Sequence, residues 1–234
     1  MRKSIEANVR EVRERIEGAC ARAGRRADDV IIVGVTKTFG PEMVDALIEA
    51  GVCDIGESRI QEFQEKKPGV VHPCRWHLIG TLQRNKAKKA IGEFELIHAV
   101  DGLRLAEALS RLGGENGITT PVLLEVNTSG ESTKHGFGPD ELLAAAARVA
   151  VLPNLRLDGL MTIGPFTVDR DRVRRSFEVL RNLRDGVERT LGRPLRHLSM
   201  GMSDDFEIAV EEGATLVRLG RVLLGERPGS TPTG

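Results

Sequence analysis

Ile31-Ile32-Val33-Gly34-Val35-Thr36-Lys37 sets six apolar or small residues, mostly β-branched, directly before a lysine, and Gly40-Pro41 then breaks the chain. A continuous apolar run of this length reads as a strand buried on both faces, as in a parallel sheet. Lys37 then falls at the strand's C-terminal end, where parallel α/β folds gather their chemistry. Against an apolar floor its charged form is disfavoured, and the amine becomes a nucleophile toward carbonyls. Taken alone, the stretch also fits a strand-end lysine whose stem lies on the surface with its head in water.

Upstream, Ile5, Val9, Val12 and Ile16 recur at helical spacing with charge between them, an amphipathic helix closing near Gly24. Downstream, strands are predicted at 52–56, 76–80, 95–100, 121–126, 155–163, 196–200 and 214–219. Helices are predicted between them at 41–50, 59–67, 103–112, 141–152, 172–191 and 205–213, with a further helix on the basic run 84–89. No linker or composition shift divides residues 1–234, and only the tail at 228–234 reads as frayed. Strict β/α alternation at this length predicts one α/β domain, a single (β/α)8 TIM barrel with an extra N-terminal helix.

Composition narrows the function. Lysine plus arginine and aspartate plus glutamate each number 34, so the net charge is zero and the basic balance expected of a nucleic-acid binder is missing. The run Arg84-Asn85-Lys86-Ala87-Lys88-Lys89 reads as a solvated helix face. The N-terminus lacks the apolar core of a signal peptide and no apolar run is long enough to span a membrane, so a cytoplasmic protein is expected. Cys20, Cys53 and Cys74 are widely spaced, which supports neither a disulfide framework nor a zinc site. Cys53 reads as a small buried hydrophobe, Trp76 as core, and His72, His98 and His135 as scattered residues without a ligand role.

Read in turn, the strand ends carry Lys37, Glu57-Ser58, Gly80-Thr81, 127–130, Met161-Thr162, 199–203 and Gly220-Arg221. Small residues with free backbone N–H groups after strands seven and eight suit an anion, and barrels often hold phosphate there. Asp204-Asp205 reads as the cap of the helix after strand seven. A strand-one lysine facing a phosphate cradle implies a phosphorylated carbonyl ligand: a sugar phosphate in a Schiff-base aldolase, or pyridoxal 5′-phosphate (PLP). Arg218, two residues before Gly220, points inward by strand alternation and can only donate. Facing a pyridine nitrogen, it would keep that nitrogen unprotonated.

The segments Val35-Thr36-Lys37, Gly56-Glu57 with Gln61-Glu62, and Trp76-His77-Leu78-Ile79-Gly80 with Leu82-Gln83 and Asn85-Lys86 carry a resemblance over nearly the whole chain. Val126-Asn127-Thr128-Ser129-Gly130-Glu131 with Lys134 and Gly136, and Gly159-Leu160-Met161-Thr162-Ile163, extend it. Leu198-Ser199-Met200-Gly201-Met202-Ser203-Asp204-Asp205 and Val217-Arg218-Leu219-Gly220 complete it. The sequence resembles the pyridoxal-phosphate homeostasis proteins, single barrels of PLP fold type III related to the N-terminal domain of alanine racemase. The resemblance implies that Lys37 holds PLP as a covalent Schiff base. It implies that Ser203 and the backbone around Gly220 and Arg221 hold the phosphate, and that Arg218 faces the ring nitrogen. Val35 and Met161 are implied beside the ring, with His77 and Asn127 at the mouth and Ser58 and Met200 also in the cofactor-contacting set. Two positions depart from the family pattern: Ser58 stands where asparagine is usual, and Arg221 where serine or threonine is usual.

Racemases of this fold pair the lysine with a tyrosine from a second domain, whereas this chain has no tyrosine and reads as one domain. The expectation is a non-catalytic, monomeric PLP carrier that buffers the cofactor and serves apo PLP-dependent enzymes. A minimal racemase and a cofactor-free sugar-phosphate aldolase are the competing readings.

Overall fold

Ser4 caps the first helix, its Oγ accepting the Ala7 N–H at 3.2 Å. The computed structural model describes residues 4–130 and 135–226; Glu131, Lys134 and the tail at 228–234 lie outside the described residues. Helix α1 (Ile5–Arg22) buries Val9, Val12, Ile16, Ala19 and Cys20, the stripe its spacing predicts.

Eight parallel strands follow: β1 (Ile31–Val35), β2 (Asp54–Glu57), β3 (Arg75–Leu78), β4 (Leu96–Val100), β5 (Thr120–Glu125), β6 (Leu155–Met161), β7 (His197–Ser199) and β8 (Leu216–Leu219). They pair in sequence order and close into a barrel, β1 meeting β8 with Ile31 opposite Leu216. Between them run α2 (Pro41–Glu49), α3 (Ile60–Lys66), α4 (Leu103–Asn116), α5 (Leu142–Ala150), α6 (Arg170–Leu191) and α7 (Phe206–Glu211), with α8 (Arg221–Leu224) after β8. Alternate strand residues face outward into a large apolar shell beneath the helices. The inward set forms a smaller cluster of Val33, Leu96, Ala99, Leu123, Met161 and Leu216. Helix α1 packs on α7 and α8. The Asn8 side chain donates to Leu223 O at 2.8 Å and Arg15 pairs with Glu207 at 2.5 Å, so the added helix braces the chain on both sides of β8.

The predicted barrel is thus the observed one, with local differences. The basic run forms a 3-10 segment, Arg84–Lys89, in which only Ala87 is buried. With one apolar residue it has no stripe to stabilise a full α-helix. Strand β3 ends at Leu78, two residues early, because the chain there crosses Ser58 so closely that a Cβ on Gly80 would lie 2.3 Å from Ser58 O. Cys53 precedes β2 and is half-buried. Trp76 is core, with Phe63 packed edge-on at 5.2 Å. No helix among the described residues is long and apolar enough to cross a membrane.

Candidate functional site

The C-terminal ends of the strands surround a cavity of about 540 Å³. Of the residues singled out in the sequence, it brings together Val35, Lys37, Ser58, Ser203, Arg218, Gly220 and Arg221. Phe39, Ile79, Ile163, Phe166 and Met202 give it an apolar wall that the sequence did not reveal. The remaining four singled-out residues sit elsewhere. Met161 lies in the inward apolar cluster that Ile79 and Ile163 also touch, one layer beneath the cavity. His77 is deeper still and fully engaged with Asp54 and His98. Asn127 is not among the lining residues and its Oδ1 accepts from the Ser129 N–H and hydroxyl. Met200 is wholly buried in the outer shell under the helices. Gly201, at φ 93°, then redirects the chain, so Met202 reaches the mouth in its place.

Lys37 is presented by a turn held from behind. Phe39 N–H closes the turn on Thr36 O at 3.0 Å, and Thr38 adopts φ 71°, a strained left-handed conformation for a β-branched residue. Three charged side chains hold that strain. Lys66 Nζ donates to Thr36 O at 2.7 Å and pairs with Glu57, Thr36 Oγ1 donates to Glu57 at 2.5 Å, and Glu62 accepts the Thr38 N–H. Glu57 and Lys66 are both buried. Burial pushes the Glu57 carboxyl above its ordinary value, against the pull of Lys66 and Thr36. The family match included Thr36, Glu57 and Glu62 without indicating that they form a clamp, and Lys66 was not anticipated. The only available signal was a lysine and two glutamates around a short helix.

Across the cavity, Ser203 Oγ accepts the Val222 N–H at 3.2 Å, which leaves its own proton to donate. Asp205 stands at the start of α7 but turns its carboxylate back to the Met202 N–H at 2.6 Å, fixing the loop rather than capping the helix. The Arg221 head pairs with Asp204, with Glu226 at 3.9 Å, so its charge is already countered at the rim.

Arg218 is buried. Its Nη1 donates to Ser199 Oγ at 2.6 Å and its Nη2 to Thr162 O at 2.8 Å. Burial lowers its pKa to about 10, opposed by Asp205 and Glu125, and it stays charged at neutral pH. Below it, Asp54 accepts Nε (2.8 Å) and Nη2 (2.5 Å) of Arg75 and faces Nε2 of His77 at 2.9 Å. Burial opposes ionisation of Asp54, but the hydrogen bonds from His77 and Arg75 outweigh it and bring the carboxyl down to about 2. The lowered value stabilises the fold wherever Asp54 is ionised. That contribution, about 2 kcal/mol, is complete above about pH 4 and is lost as pH falls toward 2. Urea unfolding across this range is expected to show a flatter acid limb for Asp54→Asn than for the native chain.

Two other depressions of similar volume lie far from this chemistry: one around Arg25, Arg196 and His197 at the opposite end of the barrel, the other around His72, Pro73 and Arg75. Neither joins a lysine amine to a buried arginine. Among the described residues no group of three or more histidine, cysteine, aspartate or glutamate side chains is placed to hold a metal ion.

Fold and site together define a closed parallel barrel that carries a strand-one lysine and a strand-eight arginine in one half-enclosed mouth. The chain belongs to the family whose model is described as alanine racemase, N-terminal domain, which it matches over residues 2–228. It is 44% identical to the pyridoxal phosphate homeostasis protein of Aquifex aeolicus over 217 residues, covering 92% of this chain and 95% of that one. It is 40% identical to the protein of the same name from Pseudomonas aeruginosa, with 98% of each chain covered. Among solved structures it resembles PipY of Synechococcus elongatus PCC7942 with PLP bound, at TM-score 0.80 and 32% identity, covering 90% of this chain and 100% of that one.

Proposed function

We propose that this protein binds PLP in the barrel mouth and serves PLP homeostasis, holding the cofactor in reserve and releasing it to apo PLP-dependent enzymes, without a reaction of its own. The observation that carries this reading is the gathering of Lys37, Arg218 and Ser203 in one cavity. The donor set fits the cofactor. Lys37 offers an amine for the aldehyde, Ser203 a free hydroxyl proton beside Gly220 for the phosphate, and Val35, Ile79 and Ile163 an apolar face for the ring. The bound group would supply an electrophilic aldehyde and an electron-accepting ring. Arg218 has no proton acceptor of its own, so it would keep a facing ring nitrogen unprotonated and weaken that electron sink. The sequence contains no tyrosine to act as the second base of a racemase. A monomeric state and a cytoplasmic location belong to the same reading.

Equilibrium titration with PLP tests it. The native chain should bind, and Ser203→Ala should bind roughly 10–100-fold more weakly, the loss expected for one hydrogen bond to a charged group. An apo PLP-dependent enzyme added to the loaded protein should regain activity. Interconversion of alanine enantiomers by the loaded protein would instead favour the racemase reading.

A further inference from the structure

Five strands each send one polar side chain into the barrel interior, and together these join the mouth to the floor. Arg218 Nη1 lies 2.6 Å from Ser199 Oγ, and Ser199 Oγ lies 2.9 Å from His98 Nδ1. His98 Nε2 lies 3.0 Å from His77 Nδ1, and His77 Nε2 lies 2.9 Å from Asp54 Oδ1. The contact between β4 and β7 crosses the barrel, since these strands are not neighbours in the sheet. Beside it, the inward cluster of Val33, Leu96, Leu123 and Met161 is fully buried, so little water competes for these bonds.

We infer that Ser199, His98, His77 and Asp54 form a one-directional hydrogen-bond column that positions Arg218 at the base of the cavity. The Asp54 end dictates the direction, and the Arg218 end fits it. Arg218 can only donate, so Ser199 Oγ accepts from it and keeps its own proton for His98 Nδ1. His98 then carries its proton on Nε2 and donates to His77 Nδ1. His77 in turn carries its proton on Nε2 and donates to the ionised Asp54, which can only accept. Both imidazoles are thereby neutral Nε2–H tautomers. A second proton on His77 would set its Nδ1–H against the Nε2–H of His98, and one on His98 would turn the Ser199 proton out of the column. Reversing the column would need a proton on Asp54, since a neutral His77 of the other tautomer would turn a bare Nε2 lone pair toward the carboxylate.

Charged and titratable groups on neighbouring elements bear on this column. Glu125 of β5 and Asp205 before α7 support the Arg218 charge. His77, Arg218 and His197 of β7 act on His98, whose pKa burial drives well below its ordinary value. At the floor, Arg75 holds Asp54. With one Nη on Ser199 and the other on Thr162 O, the guanidinium plane has no freedom to rotate, and its orientation toward the cavity is set from beneath. His98, His77 and Asp54 are positioning residues, since none of them lines the cavity.

The role of the column toward PLP rests on the reading given above, so the test has one part without the cofactor. In the unliganded protein, long-range 1H–15N correlation of labelled histidines should show His77 and His98 as neutral Nε2–H tautomers throughout the neutral pH range. Either ring found as the Nδ1–H tautomer, or as imidazolium, overturns the column. The guanidinium protons of Arg218 should exchange slowly in the native chain and at least about tenfold faster in His98→Leu. They should return to slow exchange in His98→Gln, whose amide can accept from Ser199 and donate to His77. If His98→Leu does not fold, Ser199→Ala carries the same comparison. Unchanged exchange in the leucine variant, or no rescue by glutamine, overturns the positioning role. With PLP added, the leucine variant should bind about tenfold more weakly and show a shifted visible absorbance maximum, and the glutamine variant should restore both. Failure of the native chain to bind PLP overturns the functional reading, while the tautomers and the exchange rates still decide the column.

Discussion

The Lys37→Ala chain, mixed with PLP, is expected to give no protein-dependent visible band, where the native chain turns yellow. The argument is geometric. Lys37 stands at the end of β1 and shares the cavity with Ser203 and Arg218. Covalent attachment of the aldehyde needs a nucleophilic amine held at that point. Alanine removes the amine, while the turn itself is held by Thr36 and Thr38 through Glu57, Glu62 and Lys66. The variant should therefore keep its fold, which far-UV circular dichroism would check, and lose the band completely. Residual binding through the phosphate would persist at reduced affinity. A band that survives the substitution would mean that another amine holds the cofactor, and the assignment of Lys37 would fall.

The second large effect falls on stability. Lys66→Met deletes the partner of Glu57 in a pair whose side chains are 4% and 0% exposed. Removing one member of such a pair leaves a charge or an unsatisfied carboxyl in the interior, at a cost of roughly 3–5 kcal/mol. Among the described residues Glu57 Oε2 has no hydrogen-bond partner, so only the Thr36 hydroxyl on Oε1 would remain to the carboxyl. For a domain of this size, the midpoint of thermal unfolding should fall by roughly 6–20 °C. Glu57→Gln with Lys66→Met should recover much of the loss, because it removes the stranded charge. The same substitution withdraws the donor that holds Thr36 O, so PLP binding should weaken even where the protein remains folded. A midpoint within a degree or two of native would show that the pair does not support the turn.

The site was only partly legible in the sequence. Lys37, Ser203, Arg218 and Gly220 were found because strand alternation and strand ends locate them without reference to any neighbour. Met200, implied only by the family resemblance, lies in the outer shell instead of lining the cavity. His98 was read as a scattered histidine, yet it sits in a strand whose five residues are all buried. A histidine in such a run must find partners, which is a usable signal, but the partners lie on β3 and β7. The clamp behind Lys37 was equally hidden, since Lys66 reaches back 30 residues to Thr36.

By itself the sequence determined the alternation of strand and helix, the buried stripe of α1, and the strand ends at which chemistry collects. These follow from periods of 2 and 3.6 residues, which each segment carries within itself. Only the tertiary structure decided which inward side chains meet. Closure of the barrel sets the stagger of each strand against the next, and small offsets along a strand decide whether a side chain reaches the mouth or stops in the interior. That stagger placed His77 below the cavity rather than beside it, and brought Ser199 from β7 across to His98 on β4.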